Sequence, residues 1–267
     1  MKLYSETMGQ GKTILFIHGF GVNTYTWRYL MPEFSKSYKC IAINLKGFGK
    51  SPKPFDNKYS FFDHLENVLK FIEENRLKDF VIVGNSYGGG LAMGIALEYK
   101  KRGIEENLKG LVLIDTMAYI QELPPFMKIL TLPVISEILS ILIPPSVATK
   151  NALKEVWHNY HKVTEDVVNA YKVKSIRDRY CSIKTARQIL KGNIEGFVNG
   201  IKEIDTKSLI IWGDKDKIIP IKTAYKLEKD LKNSRLEIIE NCGHVPQEEC
   251  PEKTIEIIKN FLKEIEF

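Results

Sequence analysis

The sequence predicts an α/β protein built on a mainly parallel, doubly wound sheet, interrupted by one inserted helical segment. Three observations carry this expectation. Short apolar runs at Thr13–Ile17, 40–45, 80–83, Leu108–Ile114 and 208–212 suit strands buried on both faces. Segments of helical spacing separate several of them, as crossovers between parallel strands require. Finally, the alternation stops after residue 116 and resumes near residue 205, so residues 1–116 and 205–267 read as two parts of one sheet domain and 117–204 as a helical cap inserted between them.

Taken in order, the run Thr13–Ile17 feeds the glycine loop His18-Gly19-Phe20-Gly21. Residues 23–34 carry Tyr25, Trp27, Leu30, Met31 and Phe34 at roughly helical spacing, although Pro32 limits a continuous helix. The strand at 40–45 exits into Lys46-Gly47-Phe48-Gly49-Lys50-Ser51-Pro52, rich in turn residues. An amphipathic helix over 60–75 places Phe61, Leu65, Val68, Leu69 and Ile72 on one face. His64, beside Asp63, Glu66 and Asn67, reads as solvated.

The stretch 79–102 organises the chain. Its strand, 80–83, is followed by Gly84-Asn85-Ser86-Tyr87-Gly88, and helical patterning sets in from Leu91. A G-x-S-x-G pentapeptide between strand and helix holds its serine on a strained turn, with glycines where side chains would collide. Ser86 is thereby presented at a helix N-terminus, where unpaired N–H groups favour developing negative charge.

The next strand, Leu108–Ile114, ends at Asp115-Thr116. Within the insertion, residues 126–143 are apolar apart from Lys128, Glu137 and a few hydroxyl side chains. That length raises the possibility of a membrane span, but the internal charges and Pro133 favour a cap over the strand ends, and no stable membrane insertion is expected. The rhythm resumes with Trp212-Gly213-Asp214-Lys215-Asp216 closing a strand and a helix after Pro220. A last strand at 236–240 leads through Gly243-His244 to a final helix over 251–265.

Composition narrows the function classes. The 267 residues contain 39 Lys+Arg against 33 Asp+Glu, a formal charge of +6, without any dense basic block, so nucleic acid is not an expected partner. Cys40, Cys181, Cys242 and Cys250 lack disulfide or metal spacing, which argues for a reduced compartment. The polar start of the chain is not a signal peptide, so a cytoplasmic protein is expected. His158 and His161 form an H-x-x-H pair with no third ligand signal, and neither a metal nor a cofactor is expected.

A serine hydroxyl needs a base within reach and a carboxylate to orient that base. Among the histidines only His244 lies in a loop after the last core strand, whereas His18 adjoins the glycine loop and is expected to shape it. Asp115, Asp214 and Asp216 all fall near strand ends. Asp115 could cap a turn or helix, and Asp214 could serve as a local turn residue.

Across nearly its whole length the chain resembles the α/β-hydrolase superfamily. The resemblance rests on His18-Gly19-Phe20-Gly21, Gly47-Phe48-Gly49-Lys50-Ser51, the elbow at Ser86, Trp212-Gly213-Asp214-Lys215-Asp216 and Gly243-His244, in that order. It implies Ser86 as nucleophile, His244 as general base and then acid, Asp216 as orienting carboxylate, and the Phe20 and Tyr87 N–H groups as oxyanion hole. The G-x-x-D-x-x-x-P spacing through to Pro220 matches the family at Asp216. Asn44 departs from it where aspartate is usual, outside the three catalytic positions.

The serine speaks for acyl chemistry and against epoxide hydrolases and haloalkane dehalogenases, which carry aspartate at the elbow. Proline iminopeptidases usually have tryptophan where Tyr87 stands. Carboxylic-ester hydrolysis is the first expectation, with apolar acyl groups of short to medium length favoured by the apolar cap. Hydrolysis of a C–C bond in a ring-cleavage product comes second, since the HGFG and WR elements resemble those enzymes. A third reading of another class is a ligand receptor that keeps the pocket without catalysis.

Overall fold

A computed structural model describes residues 1–267 except Gln121, Leu123 and Asn193, and the backbone alone of Pro125, Phe126 and Ser140. Its strands are β1 Ser5–Met8, β2 Thr13–Ile17, β3 Lys39–Ile43, β4 Phe80–Asn85, β5 Leu108–Ile114, β6 Ser208–Gly213 and β7 Ser234–Ile239. They form one sheet in the order β1-β3-β2-β4-β5-β6-β7, parallel except for β1 against β3. The expected α/β doubly wound fold is thus present.

The continuous apolar runs follow from burial on both faces. In β4, Phe80 and Ile82 join one core while Val81 and Val83 join the other, and β2, β5 and β6 divide their side chains in the same alternation. One face is covered by α2 (Phe61–Glu74), α3 (Tyr87–Arg102) and α10 (Lys222–Asp230). The other is covered by α1 (Leu30–Phe34) and α12 (Pro251–Glu264). Each fully buried aliphatic or aromatic side chain of these strands contributes about 1.5–3 kcal/mol of transfer free energy.

Several expectations need correction. Strand β1 was not foreseen: it is short, polar and at the sheet edge, with no buried residue. Residues 23–34 form two pieces, a 3₁₀ turn at Thr24–Trp27 and α1, where Pro32 sits in the first turn and removes no helical hydrogen bond. Helix α3 begins at Tyr87 rather than Leu91. His64 is buried, not solvated, because it follows Phe61 by three residues and precedes Val68 by four, on the inward face of α2.

Between β5 and β6 lie α4 (Pro125–Thr131), α5 (Ile135–Leu142), α6 (Pro145–Val156), α7 (Glu165–Tyr171), α8 (Ile176–Lys191) and α9 (Glu195–Gly200). Among the described residues no helix is long and apolar enough to cross a membrane. The side chain of Phe126, where the apolar stretch begins, lies outside the described residues. Much of the rest of that stretch faces outward: Ile129, Leu132, Ile135, Ile138, Ile141 and Leu142 are 44–71% exposed. Met127 instead turns inward and packs with Phe20, Ala186 and Ile189.

Candidate active site

The site forms where the carboxyl ends of β2, β4, β6 and β7 meet. Ser86 follows β4 with φ 53° and ψ −116°, a left-handed backbone that costs a non-glycine residue strain. Two glycines make that turn possible. A Cβ on Gly84 would sit 2.6 Å from Gly88 O, and one on Gly88 would sit 2.1 Å from Ile17 O. Strand, helix and the loop after β2 therefore approach more closely than any side chain allows.

Tyr87 opens α3 directly after Ser86, so its backbone N–H has no partner within the helix. Phe20 lies in the loop that follows β2. A Cβ on Gly19 would be 3.2 Å from Ser86 Cβ, so this loop runs against Ser86. His18 shapes this loop as expected: it is buried, its Nδ1–H donates to Gly19 O at 2.7 Å, and its Nε2 accepts from Leu45 N–H at 3.0 Å. Burial lowers its pKa to about 4, which keeps the ring neutral. Asn44 Oδ1 accepts from Thr24 N–H at 2.8 Å, an acceptor role that the usual aspartate would also fill.

The structure brings Asp216 and His244 together. His244 Nδ1–H donates to Asp216 Oδ2 at 2.7 Å, leaving Nε2 as the basic nitrogen. The other oxygen, Oδ1, accepts from the N–H groups of Ile218 at 2.7 Å and Ile219 at 3.0 Å, so the carboxylate is clamped by its own loop. Asp214 lies apart from the imidazole. Its Oδ1 accepts from Cys242 N–H at 3.3 Å and it pairs with Lys215, bridging to the β7 exit rather than acting only within its own turn.

Three residues that sequence reasoning missed hold the loops in register. Asn85 Nδ2, beside the serine, donates to Ile114 O at 3.1 Å and to His244 O at 3.2 Å, tying elbow to histidine. Glu249, in the short helix α11 (Pro246–Glu249), accepts from the N–H groups of Gly243, His158 and Asn159. Its neighbour Glu248 accepts from Thr26 and Tyr171 hydroxyls and pairs with Arg28. The His244 loop is thus joined to the inserted helices at α6 and α7. The side chains of His158 and His161 are exposed on that insertion.

Asp115 is the remaining strand-end carboxylate. It is buried at φ 42°, and its Oδ1 accepts from Gly213 N–H at 3.1 Å. One oxygen each from Asp115 and Asp216 and one ring nitrogen of His244 lie within 4.8 Å of one another.

A parallel sheet carrying a serine at a strained strand-to-helix turn, and a carboxylate–histidine pair at neighbouring strand ends, is the arrangement of a hydrolase. The chain belongs to the alpha/beta hydrolase fold family, whose model matches residues 12–251. It is 26% identical to a 2-hydroxymuconate semialdehyde hydrolase of Pseudomonas sp. (strain CF600) over 96% of this chain and 88% of that one. It is also 26% identical to Lipase 1 of Psychrobacter immobilis, over 94% and 77% of the two chains. Among solved structures, a meta-cleavage product hydrolase from Pseudomonas fluorescens IP01 superposes with a TM-score of 0.81 at 22% identity, covering 98% of this chain and 94% of that one.

Proposed function

We propose that the protein is a serine hydrolase that cleaves carboxylic esters of small apolar molecules through an acyl-enzyme on Ser86. The observation that carries this reading is the 2.7 Å contact of His244 Nδ1 with Asp216 Oδ2, in a fold that sets a strained serine at the neighbouring strand end. His244 Nε2 takes the Ser86 proton as Oγ attacks the ester carbonyl. The tetrahedral oxyanion accepts from the Phe20 and Tyr87 N–H groups, each such donor being worth about 10²–10³ in rate. Collapse expels the alcohol, which leaves with the proton held by His244. Water then repeats the sequence on the acyl-enzyme and restores Ser86.

Met127 packed on Phe20 supports a partly apolar surface beside the oxyanion loop, with the inserted helices acting as a cap. Acyl chains of short to medium length gain about 0.8 kcal/mol per buried CH₂ there, so specificity constants across an ester series should rise before they fall. Free cysteines at 40, 181, 242 and 250 agree with a cytoplasmic location. A second reading, hydrolysis of a C–C bond in a ring-cleavage product, is favoured by the similarity to the 2-hydroxymuconate semialdehyde hydrolase.

The experiment combines fluorophosphonate labelling, read by mass spectrometry of a digest, with kcat/KM on an acyl-length series and on a ring-cleavage product. Label on Ser86 with highest kcat/KM on apolar esters is expected. Highest kcat/KM on the ring-cleavage product would move the assignment to C–C cleavage. A chain that takes no label and turns over nothing would be a non-catalytic ligand binder.

A further inference from the structure

Two carboxylates, Asp115 and Asp216, share one buried space beside His244, and the reaction as derived uses only one of them. Their hydrogen bonds differ. Asp216 accepts from three donors: the Ile218 and Ile219 N–H groups and His244 Nδ1–H. Asp115 accepts from one, Gly213 N–H, and its Oδ2 accepts from no donor among the described residues, while the Asp216 carboxylate stands beside it. Two like charges this close and this far from water are not both sustained, and the charge settles where more donors stabilise it. That site is Asp216.

We propose that Asp115 is a positioning residue: it keeps its proton, directs it from Oδ2 toward the Asp216 carboxylate, and so moderates how strongly Asp216 increases the basicity of His244. The proposal rests on the reading of Asp216 as the carboxylate that orients the histidine. The groups facing Asp115 favour the neutral acid. They are Asp216 from the β6 exit, His244 and Cys242 from the β7 exit, and Glu249 from α11, with no Lys or Arg among them. Burial, then the Asp216 charge, raises the Asp115 carboxyl well above the usual carboxylate range. The positive φ of Asp115 fits a residue retained for its side chain where glycine would be easier.

The direction of each effect follows from the charge. The acid limb of kcat/KM reports His244 losing its proton before it can act as base. Asp115→Asn offers the same neutral donor to Asp216, so the midpoint of that limb is expected to stay within about 0.3 pH units of wild type. Asp115→Ala removes the donor, leaves Asp216 more basic and moves the midpoint up by about one pH unit, a tenfold gain in proton affinity. Were Asp115 ionised, Asp115→Asn would remove a negative charge and move the midpoint down by a unit or more.

Infrared difference spectra of wild type against Asp115→Asn at pH 7 supply a readout that needs no turnover. A buried carboxylic-acid C=O band present in wild type and absent in the variant is expected. A downward shift in Asp115→Asn, an unmoved midpoint in a folded Asp115→Ala, or no acid band overturns the proposal. Failure of the underlying reading looks different: Asp216→Asn would then keep wild-type turnover, whatever the Asp115 variants do.

Discussion

Asp216 and His244 leave different strands, β6 and β7, yet meet at 2.7 Å between Oδ2 and Nδ1, with Oδ1 of the same carboxylate fixed by two N–H groups of its own loop. The imidazole is therefore oriented by a group that has little freedom to move. Asp216→Asn keeps the size of the side chain but presents an amide that permits the wrong tautomer. A fall in kcat of about 10⁴ is expected, the scale known for that fault in other enzymes. Asp214→Asn disturbs contacts to the backbone at Asn241 and Cys242 and to Lys215, none of them to the imidazole, and should cost less than about tenfold. Single-turnover acylation rates of the two variants, with Asp115→Asn alongside, decide the matter. Comparable losses at 214 and 216 would remove Asp216 from its role, and a full-sized loss at 115 alone would move the acid to the β5 end.

The strain at Ser86 predicts a separation of stability from activity. At φ 53° and ψ −116°, alanine suffers the same backbone conflict as serine, whereas glycine does not. Both Ser86→Ala and Ser86→Gly should abolish ester turnover. Ser86→Gly should be the more stable of the two by about 1 kcal/mol, what remains of a strain of about 1–3 kcal/mol after the added flexibility of the unfolded chain. Urea unfolding of both variants measures this. Equal midpoints and slopes would mean that the turn stores no strain.

Much of this architecture was legible because its signals are local. β2, β4, β5 and β6 are contiguous apolar runs, and the elbow and the G-x-x-D loop are short motifs whose spacing survives without any tertiary knowledge. What escaped depends on burial or on distant partners. β1 has four residues and none is buried, so neither apolar run nor alternation marks it. Gln247, Glu248 and Glu249 carry no apolar pattern to announce their burial, yet all three are buried, with partners such as Thr26, Arg28, Tyr171 and His158 far away in sequence. Asn85 was seen only as a variable position of the pentapeptide, because its bond to His244 O joins positions far apart in sequence.

His64, charged-looking by its neighbours and buried in fact, leads to a prediction about acid stability. It packs edge-on to Phe48, Tyr59 and Tyr87, both ring nitrogens lack a hydrogen-bond partner among the described residues, and burial, then Lys46, lowers its pKa to about 3. His18 is lowered to about 4 by burial. In the unfolded chain both titrate near 6.5. Above that pH both are neutral in both states, and their contribution to stability is fully present. As pH falls below 6.5 the unfolded chain binds protons that the folded chain refuses, so stability is lost progressively until the folded values near 4 and 3 are reached. Each histidine then removes up to about 1.4 kcal/mol per pH unit, hence about 2 kcal/mol between pH 6.5 and 5. His64→Phe keeps a flat ring among the same neighbours and deletes one of the two titrations. Its loss of unfolding free energy between pH 7.5 and 5, measured by denaturant titration, should be smaller than that of the wild type by about 2 kcal/mol. The same loss in both proteins would show that His64 takes up its proton in the folded state, and would place the ring in contact with solvent.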